Sequence, residues 1–167
     1  WFAGGNENMY ITLHILNSYA HLQNLGVDIT GNDDLDITIK YAIKFIDKQF
    51  LEQYVNDSKN LANANDRSQI QYLYTRSAFM KQFKPSKEIQ KGIDFYSKGL
   101  ENDWLPLSIE EKATLAITLH RFGNTKVAKK ISNQKPIVKM VKNAKNPKYW
   151  SKSNIMESIL LKSYAKI

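Results

Sequence analysis

The stretch Asp33-Asp34-Leu35-Asp36-Ile37-Thr38-Ile39-Lys40-Tyr41-Ala42-Ile43-Lys44-Phe45-Ile46-Asp47-Lys48-Gln49-Phe50-Leu51-Glu52-Gln53-Tyr54-Val55 sets Leu35, Ile39, Ala42, Ile43, Ile46, Phe50, Tyr54 and Val55 mostly three or four residues apart. That spacing lines one face of a helix, whereas a half-buried strand would alternate. Asp33 or Asp34 can accept the free amides of the first turn. The spacing predicts a helix over 33–55, the longest in the chain.

The same period extends in both directions. From Asn8 to Leu25, Met9, Leu13, Leu16, Tyr19, Ala20 and Leu25 mark a helix closed by Gly26. The polar run 56–66 reads as a surface loop. A third helix starts near Arg67, carries Ile70, Leu73, Tyr74, Ser77, Ala78 and Phe83 on its inner face, and runs on until Pro85, with Ser86 capping a fourth over about 87–100. Trp104 to Leu107 is a short apolar connector. Ser108-Ile109-Glu110-Glu111 opens a fifth helix with acids against its amide dipoles, and Gly123 ends it. Asn124 to Ser132 is a short sixth. A last helix is expected over 153–166, along Ile155, Ile159, Leu160 and Tyr164. The reading is all-α. The segments around Thr12-Leu13-His14 and Thr118-Leu119-His120 both lead to helices stopped by glycine, which favours stacked α-hairpins or an α/α toroid over a four-helix bundle.

Composition supports one helical domain over 1–167. The chain is 167 residues long, 43% hydrophobic and 24% charged, and its 7 glycines and 4 prolines are few for a domain built on β-turns. No apolar stretch reaches the ~18 residues of a membrane span, so no membrane contact is expected of this segment. The absence of cysteine excludes disulfides, thiolate metal sites and a cysteine nucleophile. Because the sequence opens at Trp1 without methionine or signal segment, we expect a fragment of a larger multidomain protein. The net charge of +8 is uneven: residues 1–120 hold 12 basic and 15 acidic side chains, and 121–167 hold 12 basic and 1 acidic. A basic helical module binding nucleic acid or another acidic polymer is therefore an alternative function. A lysine-rich solvated face is the plainer account.

Few residues carry recognisable chemistry. His14 and His21 stand seven apart on roughly one helical face, but neither they nor His120 has an acid at zinc-helix spacing, and partly buried histidines are expected in place of a metal site. Asp103 beside Trp104 is the nearest approach to a glycosidase carboxylate, the basis for an alternative reading as an α/α-toroid glycan-active enzyme; Trp104 reads more naturally as a core anchor. Trp1-Phe2-Ala3-Gly4-Gly5 is a tight turn, not a nucleotide loop, and no Gly-x-Ser-x-Gly elbow occurs. No catalytic residue, cofactor or metal ligand is assigned.

Trp1-Phe2-Ala3-Gly4-Gly5 followed by Tyr10-Ile11-Thr12 resembles the Trp-Phe-x-Gly-Gly…Tyr-Ile-Thr stretch of bacterial alpha-2-macroglobulins. Tyr74-Thr75-Arg76-Ser77 is similar to that family's Tyr-x-Arg-Ser segment. Trp104, Glu111-Lys112-Ala113, Leu115-Ala116, Arg121-Phe122-Gly123 and Ala128 resemble its next helix pair, and Tyr149-Trp150 with Ile155-Met156-Glu157-Ser158 its closing elements. The order holds over nearly the whole chain. The resemblance implies the later part of the thioester domain, a partial α/α toroid of terpenoid cyclase-like form. It also implies a non-catalytic role in protease inhibition by entrapment, in the periplasm or cell envelope, with a lipoprotein anchor possible outside this segment. The partners it implies are other domains of the same chain and, through the full-length protein, target proteases, with no nucleic acid. The family's thioester lies upstream of Trp1, so no thioester residue is carried over.

Overall fold

The computed structural model describes residues 7–24, 26–27, 33–135 and 137–138. Among them are six α-helices and a short 3-10 turn, with no strand: α1 (Met9–Asn24), α2 (Asp33–Asp57), the 3-10 turn Leu61–Asn65, α3 (Gln69–Ala78), α4 (Lys87–Asn102), α5 (Ile109–Arg121) and α6 (Thr125–Ser132). The all-helical reading holds. The Trp1 to Gly5 turn, Tyr149, Trp150 and the closing helix expected over 153–166 lie outside the described residues.

The helices start and stop where short-range chemistry directs. Ser86 caps α4 by accepting from the Ile89 amide at 3.3 Å. At α5 the Ser108 hydroxyl accepts from the Glu111 amide while the Glu111 carboxylate accepts from the Ser108 amide at 2.7 Å, a reciprocal capping box. Gly123 sits at φ 91°, a left-handed geometry in which a side chain would be strained, and turns the chain from α5 into α6.

Packing follows an alternating pattern. Sequential helices α1 and α2, and α5 and α6, pack as pairs; α3 contacts both α1 and α5, and α4 contacts α2. α3 thus lies between α1 and α5 while also touching α2 and α4, a packing that fits a stack of α-hairpins. One core runs from Leu13 and Leu16 through Ile39, Ile43, Ile46 and Phe50 to Leu73, Ile93, Tyr96, Trp104, Leu115 and Ile131. Phe50 is its aromatic hub, stacked on Tyr72 at 3.8 Å between ring centroids and tilted against Tyr96 at 5.5 Å. α3 and α5 are covered nearly all round, whereas α2 buries one stripe.

Two glycines let α4 approach closely. A Cβ at Gly92 would meet Phe50 Cε1 at 2.7 Å, and one at Gly99 would collide with the backbone carbonyl of Ala64 in the 3-10 turn. Both positions need the absence of a side chain rather than special backbone freedom.

Three expectations are corrected. α3 ends at Ala78 and not near Pro85, because the Arg76 guanidinium donates to the Phe83 carbonyl at 2.8 Å and draws 79–83 back in a separate turn. Val55, placed on the buried stripe of α2, is exposed. The segment 56–66 is not wholly a surface loop: α2 continues to a buried Asp57, and the 3-10 turn packs against α4.

Candidate functional site

Polar residues gather in three places. In the first, Asp47 of α2 faces α3. Its Oδ1 accepts from Arg76 Nε at 2.9 Å and from the Tyr72 hydroxyl at 2.7 Å, and the Arg76 side chain is 1% exposed. Burial, and then the neighbouring Asp47, push the Tyr72 hydroxyl well above the usual tyrosine range. In the second, Asp57 accepts from the Tyr96 hydroxyl at 2.7 Å, from Gln53 Nε2 at 2.9 Å and from Asn63 Nδ2 at 3.3 Å. Burial and the bond to Asp57 likewise raise Tyr96. These carboxylates are consumed by internal partners, and their chemistry is that of struts.

The third is a groove of about 670 Å³ between α4, the end of α3 and the α5–α6 turn. α4 contributes Asp94, Ser97, Lys98 and Glu101 to it, and Arg121 and Asn124 come from the opposite wall. Arg121 is positioned by α3: its Nη1 donates to Ser77 Oγ at 3.2 Å and the guanidinium lies 5.0 Å above the Tyr74 ring. Gln90 Nε2 donates to Asp94 Oδ1 at 2.8 Å. The Ser97 hydroxyl oxygen is buried without a hydrogen-bond partner. Asp94 and Glu101 stand two turns apart on one helix, roughly 10 Å along its axis, wider than the carboxyl pair of a retaining glycosidase. Charges of both signs line the walls, so the groove has no single electrostatic preference.

The residues singled out from sequence do not converge. His14 is exposed and His21 half-buried on α1, while His120 closes α5; the expectation of partial burial thus fails for His14. No three His, Cys, Asp or Glu side chains among the described residues are placed to hold a metal ion. Asp103 is exposed and accepts from Asn65 Nδ2 at 2.6 Å, tying the 3-10 turn to α4. Trp104 is buried as a core anchor, with the ammonium groups of Lys112 and Lys130 each 5.9 Å from its ring centroid. Of the basic final third, Arg121, Lys126, Lys129, Lys130 and Lys135 are described, and the remaining lysines lie outside. Among the described residues no helix is long and apolar enough to cross a membrane.

Sequence reasoning missed both buried carboxylate clusters. The signal was present: Ile43, Asp47, Phe50, Tyr54 and Asp57 follow one another at four- and three-residue steps, so two acids fall on the apolar stripe of α2 and require partners there. Comparison of the chain with protein-family models, curated proteins and solved structures finds no match.

Proposed function

We propose that this chain is a non-catalytic helical scaffold within a bacterial alpha-2-macroglobulin-like protein, serving protease entrapment in the cell envelope. The observation that carries this reading is where the resembling residues fall. Arg76 and Ser77 hold Asp47 and Arg121, Trp104 anchors the core under Lys112, and Ala113, Leu115, Ala116 and Ala128 are fully buried. Gly123 supplies the left-handed turn. Motif residues that hold helices together suit a domain whose task is to keep its shape while the parent protein rearranges. The placement of α3 between α1 and α5, with α4 beside α2, is compatible with a partial α/α toroid.

The test uses the full-length parent. Incubated with a broad-specificity protease, it should be cut in a bait segment and retain the protease, which then still cleaves a small chromogenic peptide but not a large protein substrate. A parent left uncut, or one that is cut and releases the protease, removes the proposal.

A further inference from the structure

From Lys112 to Met156 the sequence holds 11 Lys and Arg residues and no acid. Glu110 and Glu111 precede that run at the start of α5, the second engaged in the capping box. The described cations of the run are Lys112 and Arg121 on α5, Lys126, Lys129 and Lys130 on α6, and Lys135 beyond it; every lysine among them except Lys112 is exposed. None of them forms an ion pair, since among the described residues the salt bridge is that of Arg76 with Asp47. Three of these cations are already held in place. The ammonium groups of Lys112 and Lys130 reach the same indole, that of Trp104, from two different helices, each 5.9 Å from its centroid. Arg121 is fixed over the Tyr74 ring and bonded to Ser77. Like charges gathered at one ring with no acid between them repel, and an anion bound across them relieves that repulsion. On α6, Lys126 and Lys130 stand about one turn apart, while Ala128 and Ile131 are buried on the inward side. α6 therefore presents lysines to solvent.

We infer that this α5–α6 face binds the phosphate backbone of a nucleic-acid duplex, without regard to base sequence. The rest of the chain does not supply the anion. The residues outside the described ones carry seven lysines, with Asp28 and Glu157 as their acids, so their charge repels this face instead of neutralising it. Two observations select a duplex over other polyanions. Among the described residues between Glu110 and Ile137 no large apolar side chain is exposed, which leaves the face no wedge with which to enter a lipid surface. Trp104, 4% exposed, offers no ring on which unpaired bases could stack. Charge alone is left to make the contact, and it suits a backbone that carries one negative charge per about 1.7 Å of duplex. The inference goes beyond the protease-trap reading and does not rest on it.

Fluorescence anisotropy of a short labelled DNA duplex of mixed sequence, titrated with the 167-residue chain, tests it. With four or more phosphates neutralised, affinity should fall about 150-fold or more between about 50 and 200 mM salt. Replacing Lys126, Lys129 and Lys130 together by Gln should weaken binding and make that fall about 40-fold smaller, because three phosphate contacts are lost. Helical circular dichroism should not change, since all three side chains are exposed. Arg at the same three positions should restore the affinity. The control removes the same charge elsewhere: Lys40, Lys44 and Lys48 on α2, also exposed, replaced together by Gln, should leave affinity within about threefold of the parent. Absence of duplex binding at about 20 mM salt overturns the inference. So does a loss as large in the α2 variant as in the α6 variant, which would report net charge and no site. Uptake by vesicles of phosphatidylglycerol and phosphatidylcholine in equal parts that the duplex cannot compete away overturns it as well, in favour of a lipid surface.

Discussion

Removing the Asp47 carboxylate should be among the most damaging single changes in this protein. Asp47→Ala leaves the Arg76 guanidinium, 1% exposed, with the Phe83 carbonyl and the Met80 sulfur as its remaining partners, and strips the Tyr72 hydroxyl of its acceptor. Breaking a buried pair from one side costs about 3–5 kcal/mol. Asp47 keeps 17% side-chain exposure, and water entering there places the expected loss near the lower end, about 3 kcal/mol. Urea unfolding followed by circular dichroism would show this as a lower midpoint at constant slope, and a chain of this length would melt roughly 6–12 °C lower. The double variant Asp47→Leu with Arg76→Met should regain most of the loss, because apolar replacement of both partners leaves no stranded charge. If Asp47→Ala costs less than about 1 kcal/mol, or the two single losses simply add, the pair is not the strut that its geometry implies.

Other outcomes follow from the same contacts. Above pH 10.0, the ordinary tyrosine value, the unfolded chain loses hydroxyl protons that folded Tyr72 and Tyr96 retain, so stability is fully present below that pH and falls as pH rises; urea midpoints between pH 9 and 11 should decline, less steeply in Tyr72→Phe, and a flat profile contradicts the assignment. Gly99→Ala drives a methyl into the Ala64 carbonyl and should destabilise by about 1–3 kcal/mol, and an unchanged thermal midpoint would mean that the 3-10 turn yields freely. Ser108→Ala removes half of the capping box and should cost about 1 kcal/mol, read as a lowered urea midpoint that Ser108→Asp largely restores.

Much of the architecture is written in local pattern. Residues such as Ile39, Ile43, Ile46 and Phe50 announce both the helix and its buried side, and Ser86, Ser108 and Gly123 mark boundaries because capping involves groups only a few residues apart. The end of α3 was illegible for the opposite reason: Phe83 fits the helical spacing, and what stops the helix is a guanidinium reaching the Phe83 carbonyl, which periodicity does not register. The roles of Asp47 and Asp57 depend on Arg76, Tyr72 and Tyr96, which come from other helices, so the acids alone named no partner. The groove beside Arg121 is likewise a product of three separate segments meeting, so no single stretch of sequence marks it out.

The notches at Gly92 and Gly99 fix more than a close approach. They lie seven residues apart, so one seats an aromatic ring from α2 and the other a backbone carbonyl from the 3-10 turn. Sliding α4 by a single turn would bring Phe95 or Tyr96 to the place of Gly92, and Phe95, Tyr96, Asn102 or Asp103 to that of Gly99, each too bulky to enter. α4 is therefore keyed to a single register, and it cannot creep along α2 and the 3-10 turn.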